Sequence, residues 1–253
     1  MAPPRKTDQD RRGKRGRRLA IERKRNPAHR SIARELGIAI VTGQYLPGQI
    51  LPGEFELAET RAVSRSVVRE ALRILAAKGL IESRPKAGTR IRNRGDWNLL
   101  DPDILAWMFE VEPPAAFVEN LYQLRMIVEP AAAELAARNR TTRQIGRMGH
   151  ALEIMEEMGL ATAEGQAADQ QFHNILLEAT GNDLLVSLSG SIGTAVRATA
   201  LFKARKAKQL RDSIPLHRDL FSAITNGDPA AAKSACTTLI LQALEDTELS
   251  LKP

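Results

Sequence analysis

The chain has 253 residues, of which 43% are hydrophobic and 26% are charged, and its net charge is +7. This length allows two domains, and no run approaches the roughly 20 consecutive apolar residues that a membrane span requires. The first residues are basic rather than apolar, which argues against a secretory signal. The one cysteine, Cys236, excludes an internal disulfide and lies on an apolar stripe that indicates a core position. We therefore expect a cytoplasmic protein that contacts no membrane.

The positive charge is confined to the first third of the chain. Residues 1–26 contain 11 Lys and Arg against 3 Asp and Glu, and residues 27–95 contain 12 against 6. Residues 96–253 reverse the balance, with 14 basic against 21 acidic residues. A polyanionic partner would therefore meet the N-terminal part. Residues 1–27 are predicted to be a disordered basic tail, either a solvated extension or an arm that adds phosphate contacts.

Residues 28–92 have the pattern of a winged helix-turn-helix. Apolar residues at helical spacing predict a first helix that begins at 28 and ends near 43, and a Pro-Gly turn then leads to a short helix over 54–60. A third helix follows over 64–79, between a serine N-cap and a terminal glycine. Two short apolar strands within 80–91 flank a basic turn, which predicts a hairpin wing.

The start of the third helix carries the residues that we expect to read DNA. Its apolar positions must face the core, so its first polar residues point outward, at the end that enters the major groove in helix-turn-helix proteins. An arginine guanidinium can bond guanine O6 and N7 together, although an exposed arginine can also serve only to solubilise a surface. Together with the wing, the predicted DNA contacts are Ser64, Arg65, Ser66, Arg69, Arg84 and Lys86.

The remainder of the chain is predicted to be helical. A polar connector with turn formers covers 93–103, and only helical periodicity follows it. The predicted helices cover roughly 104–110, 114–139, 141–158, 161–179, 182–203, 207–226 and 229–248. The fold class is therefore mostly α, with an antiparallel helical bundle over 104–250 that follows the winged helix-turn-helix.

A candidate metal site lies in this bundle. Asp169 and His173 are four residues apart on one predicted helix, so their side chains share a face, and His217 lies on a later helix. One carboxylate and two imidazoles suit Zn²⁺, Mn²⁺, Fe²⁺ or Ni²⁺ and leave coordination positions open. The alternative is a hydrogen bond between Asp169 and His173 on the helix surface, without a metal.

The N-terminal motifs resemble a known family. The segments LPGEFELAE, AVSR and VVREALRILAAKGLIES are similar to the DNA-binding domain of the GntR family of bacterial regulators. The resemblance implies that Arg65 and Arg69 contact operator DNA, with the flanking serines and the wing in support. Two departures stand out. Phe55 occupies a place where the family often has an arginine, and Lys86 replaces the first glycine of the usual wing turn.

The second half resembles the FCD ligand-binding domain of the FadR-like subfamily. The similarity lies in the segments LR at 124, VEPA at 128, DQQFH at 169, GN at 181, HRDLFSAI at 217 and NGD at 226. In the metal-binding members of that family one Asp and three His bind the ion, and an early arginine helps to hold the ligand, which implies these roles for Asp169, His173, His217 and Arg125. The third histidine is missing, because its place falls at or beside Leu239.

Two accounts fit the missing histidine. Either the metal site is lost and the pocket binds its ligand directly, or three protein ligands hold a metal whose open positions take water or effector; we prefer the second. Arg125 would then clamp the carboxylate of a hydroxy acid. Thr194 and Arg197 either reach the same cavity or lie on the helix surface. The resemblance is strongest to regulators that respond to sugar acids of the D-galactonate type.

The sequence thus predicts a dimeric transcriptional regulator, and repression is the preferred mode of action. Its partners would be double-stranded operator DNA and a small acidic metabolite, and its cofactor a divalent metal ion, with zinc the first candidate. A two-fold dimer matches a palindromic operator with two half-sites. Two alternatives remain: a metal-dependent enzyme with a DNA-binding head, and a constitutive DNA-binding protein without an effector.

Overall fold

The computed structural model of the chain describes residues 28–84, 87–206 and 211–251. The predicted basic tail, residues 1–27, lies outside the described residues, and so does Lys86. The chain divides into two compact units, one that ends at Asn98 and a second that begins at Leu99.

The first unit is a winged helix-turn-helix, which confirms the predicted fold class. Three helices precede a two-stranded antiparallel sheet, whose strands pair with Ile81 opposite Ile91. Both of these isoleucines are buried, so the base of the wing belongs to the core of the unit. The elements of the unit are α1 (Ala28–Val41), α2 (Glu54–Thr60), α3 (Arg65–Ala77), β1 (Ile81–Arg84) and β2 (Gly88–Ile91).

Local capping and apolar spacing set the position and rotation of α3. The side chain of Ser64 accepts a hydrogen bond from the backbone N–H of Val67 at 3.4 Å, which satisfies one of the free donors at the helix start. Val68, Leu72 and Leu75 are buried, and α3 packs against α1. Because these apolar residues fix the inward face of the helix, the polar residues of its first turns remain exposed.

The predicted connector is shorter in the structure than in the sequence analysis. A 3₁₀ turn spans Arg94–Asp96, and the indole N–H of Trp97 donates to the carbonyl of Arg92 at 3.0 Å. Trp97 is buried in the first unit, and the backbone N–H of Asn98 donates to the carbonyl of Lys78. The first half of the connector therefore packs on the winged unit, because burying an indole outweighs the polarity of its neighbours.

The second unit consists of helices within the described residues, which confirms the predicted bundle. Its main contacts are between α5 and α11, α6 and α7, α7 and α9, and α10 and α11. The helices are α4 (Pro102–Glu110), α5 (Ala115–Asn139), α6 (Thr142–Met158), α7 (Ala163–Glu178), α8 (Asp183–Ser187), α9 (Ser189–Lys206), α10 (Ile214–Asn226) and α11 (Pro229–Leu251).

Capping residues explain four of the helix starts described in this unit. Asp101, Thr141 and Thr162 each accept hydrogen bonds from the first backbone N–H groups of α4, α6 and α7. Asn182 does the same for α8. One prediction was wrong here: the single helix expected over 182–203 is divided at Leu188 into α8 and α9. Continuous apolar spacing cannot reveal such a break, because the partly buried Leu185 and Leu188 carry the apolar pattern up to the buried Ile192 of α9.

The core of the second unit joins distant parts of the chain. Tyr122 of α5 is buried, and its hydroxyl donates to the carbonyl of Ala243 at 2.9 Å and lies 2.8 Å from the hydroxyl of Thr247, both in α11. Cys236 is fully buried in α11, as its apolar surroundings predict. Across the described residues, no helix combines the length and the apolar character that a membrane span requires.

A glycine pair offers a test of the packing after α3. Gly79 has φ +76°, and a Cβ at this position would lie 2.4 Å from the carbonyl oxygen of Asp96. Gly43 has the same handedness, with φ +81°, but open space around it. We expect Gly43→Ala to cost about 1 kcal/mol of unfolding free energy and Gly79→Ala to cost about 1–3 kcal/mol more.

Urea unfolding followed by the fluorescence of Trp97, in a Trp107→Phe background, measures this difference in the first unit. Equal losses for the two glycine variants would contradict the close approach of Gly79 to Asp96.

Candidate functional site

The first turn of α3 presents a polar surface in the winged unit. Arg65 and Ser66 are exposed, and the hydroxyl oxygens of Ser64 and Ser66 lie 2.9 Å apart. Ser64 also caps α3, so its side chain has a structural role in addition to the predicted DNA contact. The structure therefore brings these three predicted residues together at the exposed start of one helix.

Arg69, one turn later, is held by a carboxylate of α2. Its Nη2 lies 3.0 Å from Oε2 of Glu54, and its Nε donates to Oε1 at 3.4 Å. The hydrogen bond from Arg69 lowers the pKa of Glu54, so the carboxylate is ionised. The sequence analysis did not assign a role to Glu54, although it lies in the turn segment that resembles the family motif. This two-point contact orients the guanidinium before any ligand binds.

The wing contributes further positive charge. Arg84 is exposed at the end of β1, and its Nη2 lies 3.0 Å from a carboxylate oxygen of Glu82. Arg90 is exposed on β2. Lys86, the third predicted basic residue of the wing, falls outside the described residues.

A buried polar cluster occupies the second unit. Asp169 and His173 project from α7, and His217 projects from the first turn of α10; all three are buried. One ligand atom from each lies within 4.8 Å of the others. Oδ1 of Asp169 is 3.1 Å from Nε2 of His217 and 3.5 Å from Nε2 of His173. The structure thus brings together the three residues that the sequence analysis selected.

The second nitrogen of each imidazole has an acceptor as its neighbour. Nδ1 of His217 is 2.9 Å from the carbonyl oxygen of Ser213, and Nδ1 of His173 is 2.5 Å from Oε2 of Glu129. Each Nδ1 therefore carries a hydrogen, so Nε2 is the ring nitrogen that faces the carboxylate of Asp169. With Nε2 deprotonated, two imidazole nitrogens and a carboxylate that converge in this way form the donor set of a cation site. The residues fit a metal ion.

Glu129 joins this cluster to an arginine of α5. Its Oε1 accepts a hydrogen bond from Nε of Arg125 at 2.6 Å, and both side chains are buried. Burial alone would raise the pKa of Glu129, but attraction from Arg125 and His173 outweighs it and lowers the pKa to about 2. Burial also opposes the ionisation of Asp169, yet its hydrogen bond to His217 lowers its pKa to about 2. The cluster therefore contains two buried carboxylates in their charged form.

The polar cluster opens onto a cavity among α5, α7, α9, α10 and α11. The space open to the centre of a water molecule is about 60 Å³, enough for a few waters or a small polar ligand. Leu239, at the place of the missing family histidine, lines this cavity and offers no ligand atom. Residues with charge or hydrogen-bonding capacity along its wall include Arg125, Asp169, His173, Thr199, Lys203, Arg211, Ser213, His217, Gln242 and Asp246.

Thr194 and Arg197 of α9 are the residues for which the sequence left a choice between the cavity and the helix surface. Neither is among the described residues that line the cavity, and Arg197 is exposed. Thr199 and Lys203 of the same helix lie at the cavity instead. The structure therefore favours the surface alternative for Arg197, and sequence spacing alone does not identify the face of α9 that turns inward.

Gln242 is a cavity residue that the sequence analysis missed. It lines the cavity from α11, and its amide nitrogen Nε2 is buried without a hydrogen-bond partner among the described residues. A buried donor without an acceptor costs about 1–3 kcal/mol, which a ligand oxygen would recover. No local sequence signal marks this residue, because its position depends on how α11 packs against α5 and α10.

Comparison with known proteins shows the family of both units. Residues 28–91 match the model described as bacterial regulatory proteins, gntR family, and residues 120–242 match the FCD domain. The galactonate operon transcriptional repressor of Escherichia coli K12 is 34% identical over 207 residues, which cover 81% of this chain and 90% of that protein. The HTH-type transcriptional regulator LutR of Bacillus subtilis is 31% identical over 204 residues, covering 78% and 90%.

A solved structure shows the same fold. The E. coli protein McbR/YncC aligns with a TM-score of 0.54 at 15% identity, over 89% of this chain and 99% of that one. At this level of identity the similarity concerns the fold alone. The family models and the two sequence relatives lead to one conclusion: the chain belongs to the GntR family of bacterial regulatory proteins, in the FadR-like group with an FCD domain, and is an effector-responsive DNA-binding transcriptional regulator.

Proposed function

We propose that this regulator is a homodimeric repressor of a sugar-acid operon and that it binds a metal ion together with its effector. DNA binding is assigned to residues 28–92 and effector binding to residues 104–250, with residues 93–103 between them. One observation carries the proposal: a buried arginine, a metal-type donor set and an unpaired amide line the same cavity. Such a regulator acts in the cytoplasm, where its operator lies.

The DNA contacts follow from the charge and exposure of the winged unit. Arg65 and Arg69 enter the major groove, where each guanidinium is suited to the O6 and N7 atoms of guanine. The two serines of the first turn of α3 bind phosphate, and the wing adds Arg84 and Lys86 along the backbone. A second copy of the chain repeats these contacts on the other half-site of the operator.

The metal assignment rests on the donor atoms at the cavity. Asp169, His173 and His217 hold a divalent ion, with zinc the first candidate, and Glu129 and the carbonyl of Ser213 orient the two imidazoles. When bound, such an ion supplies open coordination positions for hydroxyl and carboxylate oxygens, because Leu239 contributes no ligand atom.

The effector assignment rests on the polar wall of the same cavity. Arg125 binds the carboxylate of the effector, while Lys203 and Gln242 bind its hydroxyl groups or a second anionic group. A hexonate fits this set of donors, and the name of the galactonate operon repressor supports the same class. Binding alters operator affinity only if the effector favours one conformation of the dimer, and such coupling is typically about 1–3 kcal/mol.

The DNA assignment is tested with neutral variants of α3. The double variant Arg65→Ala/Arg69→Ala removes both guanine contacts, so we expect it to bind its cognate duplex no better than random DNA at physiological salt. Arg73→Ala is the control, because Arg73 lies further along α3 and pairs with Glu70. Fluorescence anisotropy with both duplexes measures the ratio of the affinity for cognate DNA to the affinity for random DNA. Cognate selection by the double variant would refute the assignment.

The metal site is tested through its outer carboxylate. Glu129→Gln keeps the shape of the side chain but weakens its hold on His173, so we expect metal affinity to fall by about 10–100-fold. Glu134→Gln on the same helix is the control, because the carboxylate of Glu134 pairs with the exposed Arg138 and Lys233 at the surface. Metal titration followed by mass spectrometry of the bound metal measures the metal affinity of both variants. Circular dichroism confirms that both variants fold. Full metal content in a His173→Ala/His217→Ala variant would remove the proposed site.

The effector site is tested by ligand-induced stabilisation. A hundredfold excess of a true effector over its Kd stabilises the folded state by about 2.7 kcal/mol, which a thermal-shift screen of hexonates, hexuronates and short hydroxy acids detects. Gln242→Leu should weaken the binding of the responding acid roughly tenfold, because one buried hydrogen bond is lost. Gln123→Leu, at an exposed position of α5, should leave it unchanged.

Two outcomes of this screen would overturn the proposal. If no acid changes thermal stability or operator affinity, the protein is a constitutive DNA binder. If the purified protein consumes the acid, the metal-dependent enzyme becomes the better description.

A further inference from the structure

A large exposed apolar side chain lies next in sequence to a residue that contacts the predicted DNA-binding surface. Phe55 is the second residue of α2 and is 67% exposed. It follows Glu54 directly, and Glu54 holds the guanidinium of Arg69 through both of its oxygens. Phe55 is therefore one residue away from the carboxylate that positions a base-reading arginine.

The surroundings of Phe55 are charged. Its chain neighbours Glu54 and Glu56 are acidic, and Arg69 reaches across from α3 to the first of them. The core contacts of α2 are made by Leu57 and Ala58, so Phe55 is not needed to hold the helix in place. An exposed aromatic ring without a structural role, beside an arginine that enters the groove, is suited to contact the ligand of that arginine.

The major groove contains one apolar group. Among the edges of the four base pairs, only thymine presents a methyl group there, and apolar side chains such as phenylalanine read it by contact. The resemblance to the family places an arginine at this position in many members, so the sequence departure suggested a lost DNA contact. A phenylalanine ring at this position can instead make an apolar contact with the DNA, where an arginine would make a polar one.

We propose that Phe55 is a specificity-determining residue that contacts the C5-methyl group of a thymine beside the base bound by Arg69. This inference rests on the proposed DNA-binding surface of α3. The ring would cover the methyl group and exclude water from it, while the Glu54 carboxylate keeps Arg69 in register for the neighbouring base. The operator of this regulator should then contain a thymine at a fixed distance from that base in each half-site.

The experiment removes the methyl group from the DNA. A cognate duplex is selected from random sequences with the full-length protein, and each thymine of a half-site is then replaced in turn by deoxyuridine. At one position we expect the affinity of the wild-type protein to fall about fourfold, the loss typical of one buried methyl group. Phe55→Ala should bind the thymine and deoxyuridine duplexes equally at this position, which completes a double-mutant cycle.

Leu46→Ala is the matched control, because Leu46 is 54% exposed on the same unit and lies outside α2 and α3. It should keep the full preference for thymine. The proposal is overturned if the wild-type protein is indifferent to deoxyuridine at every position, or if Phe55→Ala retains the preference. It is also overturned if Phe55→Ala changes only the sedimentation of the free protein, since the ring would then serve self-association.

The same measurements separate this inference from the proposed function. If the wild-type protein selects no sequence at all, the assignment of α3 to operator reading fails, and the thymine contact fails with it. If the wild-type protein selects a sequence and Arg65→Ala/Arg69→Ala does not, while Phe55→Ala keeps its thymine preference, only the role of Phe55 is wrong.

Discussion

The effector half of this regulator depends on one buried carboxylate. Glu129 is fully inaccessible, and an isolated charge in that position would be strongly unfavourable. It is tolerated because each oxygen has a cationic or polar partner: Oε1 binds Arg125 of the same helix, and Oε2 binds His173 of α7. Through these two bonds the side chain of Glu129 orients both Arg125, which is proposed to bind the effector carboxylate, and His173, which is proposed to bind the metal. Removing it would leave the buried charge of Arg125 uncompensated, a loss that typically costs about 3–5 kcal/mol.

The two imidazoles are oriented by partners of different kinds, which matters for how the site can move. His173 is held by the side chain of Glu129, so a movement of α5 would shift this ring. His217 is held by the backbone carbonyl of Ser213, so its ring would move with the start of α10. Asp169 of α7 lies between them. A ligand that draws the three donor atoms together would therefore act on three helices at once. Through that linkage, a small molecule in a small cavity could shift several helices of the bundle relative to one another.

Local chemistry explains which parts of this structure could be predicted. The third helix was predicted correctly because Ser64, the buried apolar positions and Gly79 all act within a few residues. The triad of Asp169, His173 and His217 was also predicted, because Asp169 and His173 share a helix face and the resemblance to the FCD domain includes all three residues. Glu129 was missed as a partner because Arg and Glu four residues apart are typical of an exposed helix surface, and its contact with His173 spans 44 residues. The phase of α9 and the partners of Gln242 depend in the same way on packing between distant helices.

Two arginine–glutamate pairs, one in each proposed site, show how burial gives different roles to the same chemistry. The Arg69–Glu54 pair is in contact with water, which screens its attraction, so Glu54 orients Arg69 towards a guanine or a phosphate without fixing it as firmly as a buried carboxylate would. Arg125 and Glu129 are enclosed, so their bond persists and the guanidinium meets a ligand as a fixed donor at the cavity wall. The exposed pair suits reversible reading of many DNA sequences, from which one is selected. The buried pair suits recognition of one small ligand, because the geometry of its donors is set before the ligand arrives.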